Sequence, residues 1–276
     1  MIMLKSFVIF AVLAGSWNLK WFPSGRAEHR ASERVETANI ADAADVIREN
    51  LKGSSRILFL QEVRDAKACS NLVNAIGDAG LHVAVVTAFR DFRDNRLQWQ
   101  QLGIVTDLPV IKAEWRYSKR TDGVFVPRGY AYALLDGGAE GRIACFCVHL
   151  KSNYGARTAA KRKENMLKRE IAMRQVLDAA KSCGGDKILI AGDFNSDRFQ
   201  KAFEEERVFP MLESAGFHDG WEGAALSERG THPGNTRYPD STLDYVFHKG
   251  YSRCVSRFLV PAFSVSDHRM FTISLE

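Results

Sequence analysis

The sequence has few cysteines, and none in an arrangement that suggests chemistry. Its five cysteines are Cys69, Cys145, Cys147, Cys183 and Cys254. No two of them form a C-x-x-C pair or share a metal-binding spacing with histidine. An odd number of cysteines without such a pattern argues against a disulfide scaffold. Because Cys145 and Cys147 alternate along a predicted strand, we expect both to lie on one face as small buried side chains.

The sequence also has no internal repeat, no low-complexity tract and no long linker rich in proline, glycine and serine. The 276 residues therefore favour a single domain. A hydrophobic content of 46% and a charged content of 26% are typical of a soluble globular protein. The net charge of +5 is compatible with a polyanionic substrate, although surface lysines also serve solubility.

The N-terminal segment allows two interpretations. Residues 1–15, with Lys5 before an apolar run, resemble a short signal peptide. The domain would then comprise residues 16–276 of a secreted or periplasmic protein. Alternatively, Phe10 to Trp17 form the first core strand of a cytoplasmic protein, because Asn18 can end a strand only if residues precede it. In both cases the run is too short to span a bilayer comfortably, so we expect no stable membrane span.

Predicted helices and strands alternate along the chain. Apolar residues at helical spacing predict helices over residues 32–50, 65–79, 158–180 and 199–214. Short apolar or alternating runs predict strands over residues 56–60, 81–88, 102–106, 130–135, 142–150, 187–191, 243–248, 253–260 and 270–275. Asp136-Gly137-Gly138 predicts a hairpin. Hairpins mixed with strand–helix units predict an α/β (α+β) fold, a four-layer α/β/β/α sandwich of two packed mixed sheets flanked by helices.

The most informative motif is Gly192-Asp193-Phe194-Asn195, which follows the predicted strand of residues 187–191. It delivers a carboxylate and a carboxamide to one edge of a sheet, where loops carry chemistry. Asp and Asn are also ordinary turn residues, so the motif alone is only suggestive. Polar side chains at other predicted strand ends strengthen it. They are Asn18, Glu62, His149, Asp244, Asp267 and His268.

This set of side chains indicates the chemistry of a metal-assisted hydrolase. Acids, carboxamides and two histidines without cysteine ligands favour a hard divalent cation. We expect Mg²⁺, with Mn²⁺ as the second candidate. Such a site suits phosphate-ester hydrolysis, since a metal neutralises phosphate oxygens while a base orients or deprotonates water. Among the histidines outside these motifs, we predict surface or structural positions for His29, His82, His218 and His232.

With these motifs the chain resembles the endonuclease/exonuclease/phosphatase superfamily. That superfamily includes pancreatic-type deoxyribonucleases, apurinic endonucleases, inositol polyphosphate 5-phosphatases and neutral sphingomyelinases. The matching motifs run from Trp17-Asn18 through Gln61-Glu62 to Asp267-His268, in the order found in the family. The resemblance implies a Mg²⁺-dependent phosphodiesterase or phosphatase with a four-layered α/β fold.

The resemblance also implies which residues hold the metal and activate water. Glu62 matches the principal metal ligand, and Asn18 and Asp267 match its neighbours around the metal. Asp193 matches the carboxylate that orients or activates the attacking water. Asn195 matches the carboxamide that holds a phosphate oxygen.

Two histidines and two cations complete the implied site. His268 matches the histidine that contacts the scissile phosphate, and Asp244 matches the acid paired with it. Such pairing would raise the pKa of His268 and favour a cation. His149 matches the second active-site histidine of the deoxyribonuclease and sphingomyelinase branches, without an obvious carboxylate partner. Lys151, beside His149, and Arg128, in a loop bordering the cleft, are the candidates for substrate binding.

The substrate is predicted less directly than the site. The basic segment from Arg157 to Arg174 is either a solvated helix face or a surface for backbone phosphates. Arg93, Arg96 and Trp99 lie in predicted cleft loops, where Trp99 either stacks on bases or belongs to the core. Together with the mild basicity, these residues favour nucleic acid as the substrate of a monomeric enzyme. The alternatives are a phospholipid or inositol phosphate headgroup as substrate, and a non-catalytic binding module of the same fold.

Overall fold

The protein is a sandwich of two sheets between helices. The computed structural model describes residues 11–26, 30–53, 55–234, 239–261 and 265–276, so His29 and the first ten residues of the predicted leader lie outside the described part. The described residues form twelve strands and four α-helices. Each sheet has six strands. The predicted α/β/β/α sandwich of mixed sheets is confirmed.

The first sheet contains the N-terminal and C-terminal strands. Its strands are β1 (Val12–Phe22), β2 (Arg56–Val63), β3 (His82–Val86), β4 (Gln101–Thr106), β11 (Cys254–Val260) and β12 (Met270–Leu275). They are arranged in the order β11-β12-β1-β2-β4-β3. β1 pairs in parallel with β2 and antiparallel with β12, so it lies inside the sheet. Residues 12–15 belong to this strand in the structure, and their removal by a signal peptidase stays a prediction.

The second sheet holds the middle of the chain. Its strands are β5 (Val110–Tyr117), β6 (Gly129–Asp136), β7 (Arg142–His149), β8 (Lys187–Asp193), β9 (His218–Asp219) and β10 (Asp244–Lys249). They are arranged in the order β5-β6-β7-β8-β10-β9. The predicted hairpin is confirmed as β6 and β7. β7 and β8 are parallel, and β10 runs antiparallel to β8.

Four helices cover the outer faces of the sheets. They are α1 (Glu33–Asn50), α2 (Ala66–Ile76), α3 (Ala159–Ala180) and α4 (Val208–Ser214). α2 ends at Gly77, whose φ of +72° forms a left-handed cap, so it is shorter than the helix predicted over residues 65–79. No helix among the described residues is both long enough and apolar enough to cross a membrane.

The predicted helix over residues 199–214 is wrong in its first half. That stretch contains only a single 3₁₀ turn, Lys201–Phe203, before α4 begins at Val208. Pro210 provides the physical reason. It has no N–H to donate to the carbonyl of Glu206, and it is tolerated only because it lies in the first turn of α4.

The buried core lies between the sheets and beneath the helices. Along β2, Ile57 and Phe59 belong to the cluster that includes the second sheet, while Leu58 and Leu60 belong to the cluster beneath α1 and α2. This alternation is the side-chain periodicity of a strand buried on both faces. Cys147 is fully buried, as is Cys145, which confirms their interpretation as small core residues.

Candidate active site

Three residues of the second sheet reach one edge at the same level. Asp193 ends β8 and is in register with His149 at the end of β7 and with Asp244 at the start of β10. Gly192 allows β7 and β8 to lie close together at this edge. It has a φ of +148°, and a Cβ atom there would overlap the carbonyl oxygen of Val148. The glycine therefore permits the close approach of β7 and β8.

Glu62 reaches the same edge through an irregularity in β2 of the first sheet. The pairing of β2 with β4 shifts register between Gln61 and Val63, and Glu62 adopts a φ of +61°. This conformation is uncommon for residues other than glycine and often marks functional sites. The Glu62 carboxylate accepts hydrogen bonds from Asn18 Nδ2 (3.3 Å, Oε1) and from the backbone N–H of Trp21 (3.0 Å, Oε2).

The side chains of the two sheets contact each other across the cleft. Asn18 Nδ2 donates to Asp193 Oδ2 at 2.9 Å. His149 Nε2 lies 3.5 Å from Asp193 Oδ2 and 3.8 Å from Glu62 Oε1. We use the term catalytic cluster for six buried residues: Asn18, Glu62, His149, Asp193, Asp244 and His268. The first sheet and its loops supply Asn18, Glu62 and His268, and the second supplies the other three.

His268 is held in the cluster by a carboxylate on one side and by its own backbone on the other. Its Nδ1 lies 2.7 Å from Asp244 Oδ2. Its carbonyl accepts a hydrogen bond from Trp17 Nε1 at 3.0 Å, and its N–H donates to Ser266 Oγ at 3.0 Å. Burial opposes the charged ring, but the attraction of Asp244 outweighs it and raises the pKa of His268 to about 10. His268 is therefore a cation at neutral pH.

The pKa values of His149 and Asp193, which also belong to the catalytic cluster, shift in opposite directions. Burial lowers the pKa of His149 well below its ordinary value, and the positive charges of Arg128 and His268 act in the same direction. Burial raises the pKa of Asp193 in spite of nearby His268, and Asp244 adds to that increase. His149 is therefore neutral, whereas Asp193 lies in surroundings that strengthen it as a proton acceptor.

Asp267 lies at the margin of the cluster beside a histidine that the sequence analysis left out. Lys20 Nζ contacts Asp267 Oδ2 at 2.9 Å, and His232 Nε2 lies 4.0 Å from the same oxygen. The ring centroid of His232 is 4.9 Å from that of His268. The side chains of His232, Asp267 and His268 could jointly hold a metal ion, since their ligand atoms lie within 4.8 Å of one another. The residue types around His232 carry no signal for this placement, which the structure fixes through the bridge of His232 with Ser241 just before β10.

The guanidinium group of Arg128 donates hydrogen bonds to the backbone carbonyls of His149 and Leu150. Its Nε donates to the carbonyl of His149 at 3.1 Å, and its Nη2 donates to that of Leu150 at 3.3 Å. Its Nη1 donates to Gln100 Oε1 at 2.9 Å. The guanidinium group therefore joins the loop before β4 to the end of β7, which makes Arg128 a positioning residue for His149.

Asn195 and Lys151 border the cluster on the side of β7 and β8. The backbone N–H of Asn195 donates to Asp193 Oδ1 at 2.8 Å, and its Nδ2 donates to the carbonyl of Leu150 at 3.2 Å. Lys151 is half-buried, and its Nζ donates to the carbonyl of Ser152 at 3.0 Å. Asn195 thus orients Asp193 through its backbone N–H.

The basic segment 157–174 is mostly a solvated helix face. Glu164 pairs with Lys168 at 2.6 Å within the helix. Arg169 is buried and pairs with Glu206 at 2.6 Å. These contacts favour the structural interpretation of the segment. The histidines His82 and His218 are exposed, and Trp99 is half-buried.

The chemistry of the donor set fits a hard divalent cation. The carboxylates of Glu62 and Asp193 meet at the amide of Asn18, in a buried cleft. Two buried polar atoms, His149 Nδ1 and Asp244 Oδ1, have no hydrogen-bond partner within the described residues. Closely spaced buried carboxylates are stabilised by positive charge, and oxygen donors are the ligands that Mg²⁺ and Mn²⁺ prefer.

The model of the Endonuclease/Exonuclease/phosphatase family matches residues 15–268. The chain belongs to this family. Endonuclease/exonuclease/phosphatase proteins are phosphoric ester hydrolases that generally depend on a divalent metal. A comparison with curated protein sequences finds no significant match.

Solved structures of the same fold are distant in sequence. An endonuclease/exonuclease/phosphatase from Beutenbergia cavernae DSM 12333 has a TM-score of 0.68 and 17% identity, with 96% of this chain and 71% of that chain covered. Truncated TDP2 from Caenorhabditis elegans has a TM-score of 0.63 and 17% identity, with 96% and 98% covered. The 3' phosphatase NExo from Neisseria, solved with product DNA hairpin, has a TM-score of 0.64 and 14% identity, with 96% and 100% covered. These similarities show the fold.

Proposed function

We propose that the protein is a Mg²⁺-dependent phosphodiesterase that cleaves nucleic acid. The observation that carries the proposal is the catalytic cluster, in which Asp193 contacts Asn18 and His149 while His268 is paired with Asp244 at 2.7 Å. The net charge of +5 supports a polyanionic substrate. The DNA hairpin bound to the structurally similar NExo from Neisseria supports nucleic acid in particular.

The proposed reaction uses Asp193 as the base and His268 as the phosphate ligand. Asp193 accepts a proton from water as the water oxygen attacks phosphorus, and the bond from phosphorus to the leaving oxygen breaks. The leaving oxygen takes up a proton from bulk water. Cationic His268 stabilises the charge that develops on the phosphate oxygens, and the side-chain amide of Asn195 holds one of them. His149, neutral because of its burial, faces Asp193 and contributes a hydrogen-bonding group without adding charge.

Glu62 is the proposed principal ligand of the metal, with Asn18 beside it. These residues would hold a divalent cation, which would supply positive charge for the phosphate oxygens and make water a better nucleophile. Asp267 is the third proposed ligand, and it must exchange its contact with the exposed side chain of Lys20 for this role. Mg²⁺ is the proposed cation and Mn²⁺ the second candidate, because oxygen donors predominate in the set and both cations prefer them.

The test is Mg²⁺-dependent cleavage of plasmid and single-stranded DNA by the purified protein. We expect Asp193→Ala and His268→Ala each to reduce the rate by about 10²- to 10⁴-fold, the range for loss of a positioned acid–base group. Asp136→Ala and His82→Ala are the matched controls, since both side chains are exposed away from the cluster, and they should retain the wild-type rate.

Other outcomes would contradict particular parts of the proposal. Equal activity in the Asp193→Ala variant would refute the site assignment. Hydrolysis of sphingomyelin or inositol phosphates without nuclease activity would refute the substrate and favour the headgroup alternative. Absence of any phosphoesterase activity, combined with retained ligand binding, would favour the non-catalytic binding module.

A further inference from the structure

Two phenylalanine rings lie exposed and in contact with each other beside the cleft. Phe92 is 75% exposed and Phe125 is 43% exposed. Their ring centroids are 5.0 Å apart. The guanidinium carbon of Arg93 lies 5.8 Å from the centroid of the Phe92 ring. Solvent-exposed aromatic side chains that adjoin each other mark an interaction surface more often than isolated ones do. We call Phe92, Arg93 and Phe125 the aromatic lip.

Both loops that carry the aromatic lip are anchored. The loop of Phe92 is closed by a bridge between Arg90 and Leu97, and that of Phe125 by a bridge between Thr121 and Val124. At the ends of strands and loops next to the lip in the sequence, Phe89 packs against Trp115 and Tyr117, with ring centroids 5.4 Å and 5.2 Å apart. The hydroxyl group of Tyr117 also accepts a hydrogen bond from the N–H of Arg90 at 2.6 Å. The exposed rings are therefore presented on a fixed base, which lowers the entropy cost of binding.

The aromatic lip adjoins the catalytic cluster. Phe125 precedes Arg128 by three residues, so their Cα atoms lie within roughly 11 Å of each other. Arg128 in turn donates to the carbonyl of His149 and to Gln100, which lies between the loop of Phe92 and β4. A polymer whose phosphate lies in the cleft could therefore reach the lip with a neighbouring nucleotide.

The charge around the lip is complementary to a phosphodiester backbone. The two loops, residues 90–97 and 118–128, contain six arginines and lysines and three aspartates. The side chains of Arg93 and Arg96 are 75% and 85% exposed. Each pairs with a nearby aspartate, but such exposed pairs are weak and readily exchanged for a phosphate.

We propose that the aromatic lip binds unpaired bases of a single-stranded nucleic acid next to the active site. Bases stack on exposed aromatic rings in single-strand binding proteins, while cations follow the backbone. In a duplex the base faces are already stacked on their neighbours, so the lip favours single-stranded segments over duplex. This inference rests on the proposed function because it concerns the same cleft.

A membrane surface is the competing occupant. Binding to a bilayer uses a broad apolar face with aromatic and aliphatic residues. The lip offers two rings, and the residues beside Phe92 in its loop are Asp91 and Arg93. Arginine and aspartate next to the rings favour a polar ligand with aromatic faces over lipid tails.

The test compares Phe92→Ala/Phe125→Ala with wild type in binding and in catalysis. Binding of a fluorescent single-stranded oligonucleotide and of its duplex is measured in EDTA, so that no cleavage is required. Quenching of a 2-aminopurine base in the single strand reports stacking. Kinetics are measured with Mg²⁺ on the same oligonucleotide and on bis(p-nitrophenyl) phosphate, which has no base. Phe258→Ala is the control, because Phe258 is 63% exposed on β11, at the edge of the first sheet opposite β3.

We expect the double variant to bind the single strand roughly 5- to 150-fold more weakly, the range for losing one stacked base. Its KM for the oligonucleotide should rise while kcat, and the rate on bis(p-nitrophenyl) phosphate, stay unchanged. The quenching of 2-aminopurine should be lost, and Phe258→Ala should behave as wild type.

Three results would overturn the inference. One is unchanged single-strand binding in the double variant. Another is an equal loss with the Phe258→Ala control. The third is lip-dependent binding to phosphatidylcholine–phosphatidylserine vesicles in place of oligonucleotide. If wild type binds the single strand through the lip but cleaves no nucleic acid, the inference stands and the proposed function fails. If it cleaves DNA with no effect of the lip substitutions, the proposed function stands and the inference fails.

Discussion

Several residues around the cleft adopt backbone conformations that ordinary side chains disfavour. Glu62 has a φ of +61°, Asn195 one of +50° and Arg128 one of +99°. Each such residue costs roughly 1–3 kcal/mol unless its surroundings hold it in place. The hydrogen bonds from Trp21 to Glu62 and from Arg128 to the carbonyl of His149 are such surroundings. The active-site edge is therefore held in a strained but fixed arrangement.

The pairing of His268 with Asp244 predicts a measurable change in titration. Asp244→Asn removes the largest stabilising influence on the charged ring, so the pKa of His268 should fall from about 10 toward or below its ordinary value. Each unit of decrease corresponds to about 1.4 kcal/mol of lost interaction. This decrease in pKa is measured by NMR titration of the His268 ring, in EDTA to exclude metal.

The same shift predicts a pH dependence of stability with a definite sign. Because the pKa of His268 is raised on folding, its contribution is fully present below its ordinary value of 6.5 and is lost as the pH rises through about 10. Urea unfolding across this range should show wild type losing more stability than Asp244→Asn. Asp136→Asn, which changes an exposed aspartate, should follow the wild-type curve. An unchanged His268 titration in Asp244→Asn would contradict the assignment.

At the scale of elements, the sequence predicts most strands well because they are short, apolar and bounded by turn residues. The predicted last strand agrees with β12, Met270–Leu275, at both ends. The sequence prediction omits β5, Val110–Tyr117, an edge strand whose residues are mostly exposed. Apolar and charged residues alternate from Ile111 to Tyr117, which is the pattern of a strand with one solvent-facing side, so the signal for β5 was present in the sequence. The register shift that turns Glu62 into the cleft has no signature in the residue types.

A substitution at Gly192 tests whether β7 and β8 must approach each other closely at this position. Gly192→Ala should destabilise the protein by about 3 kcal/mol or more, because its Cβ would overlap the carbonyl oxygen of Val148 and its φ of +148° is disfavoured for alanine. Urea denaturation with the midpoint and slope compared to wild type measures this. Gly103→Ala in β4 is the matched control. Its Cβ would meet Cys69 Sγ at 3.4 Å, an ordinary contact, so its effect should stay within about 1 kcal/mol. A similar loss for both variants would refute the close-approach role of Gly192.

At the scale of the whole molecule, the order of the motifs along the chain was sufficient to predict the family and the sandwich. The sequence could not predict which side chains would meet across the cleft. The contact of Lys20 with Asp267 and the approach of His232 to His268 depend on how loops of the first and second sheets pack. Arg128 was predicted to bind substrate, yet its donors are largely occupied by backbone carbonyls, which no residue pattern indicates.

The position of β1 predicts how much of the N-terminus the fold requires. A protein that begins at Ser16 loses the pairing of Val12 and Ala14 with β12, and both side chains are fully buried. Its free energy of unfolding should fall by at least about 3 kcal/mol, the combined loss of buried apolar area and strand hydrogen bonds. Thermal unfolding followed by circular dichroism compares it with a protein that begins at Ala11, which retains these pairings. Equal stability of the two truncated proteins would instead favour residues 1–15 as a removable leader.

The catalytic cluster is divided between the two sheets, so a loss of activity should report a small separation of the sheets within the folded protein. The contacts of Asn18 with Asp193, of Glu62 with His149 and of Asp244 with His268 each join one sheet to the other. Slight parting of the sheets would break all three together while leaving every strand ladder intact. On heating or in mild denaturant, catalysis should therefore fail before backbone hydrogen exchange within the strands accelerates, because the partially opened form costs less free energy than global unfolding.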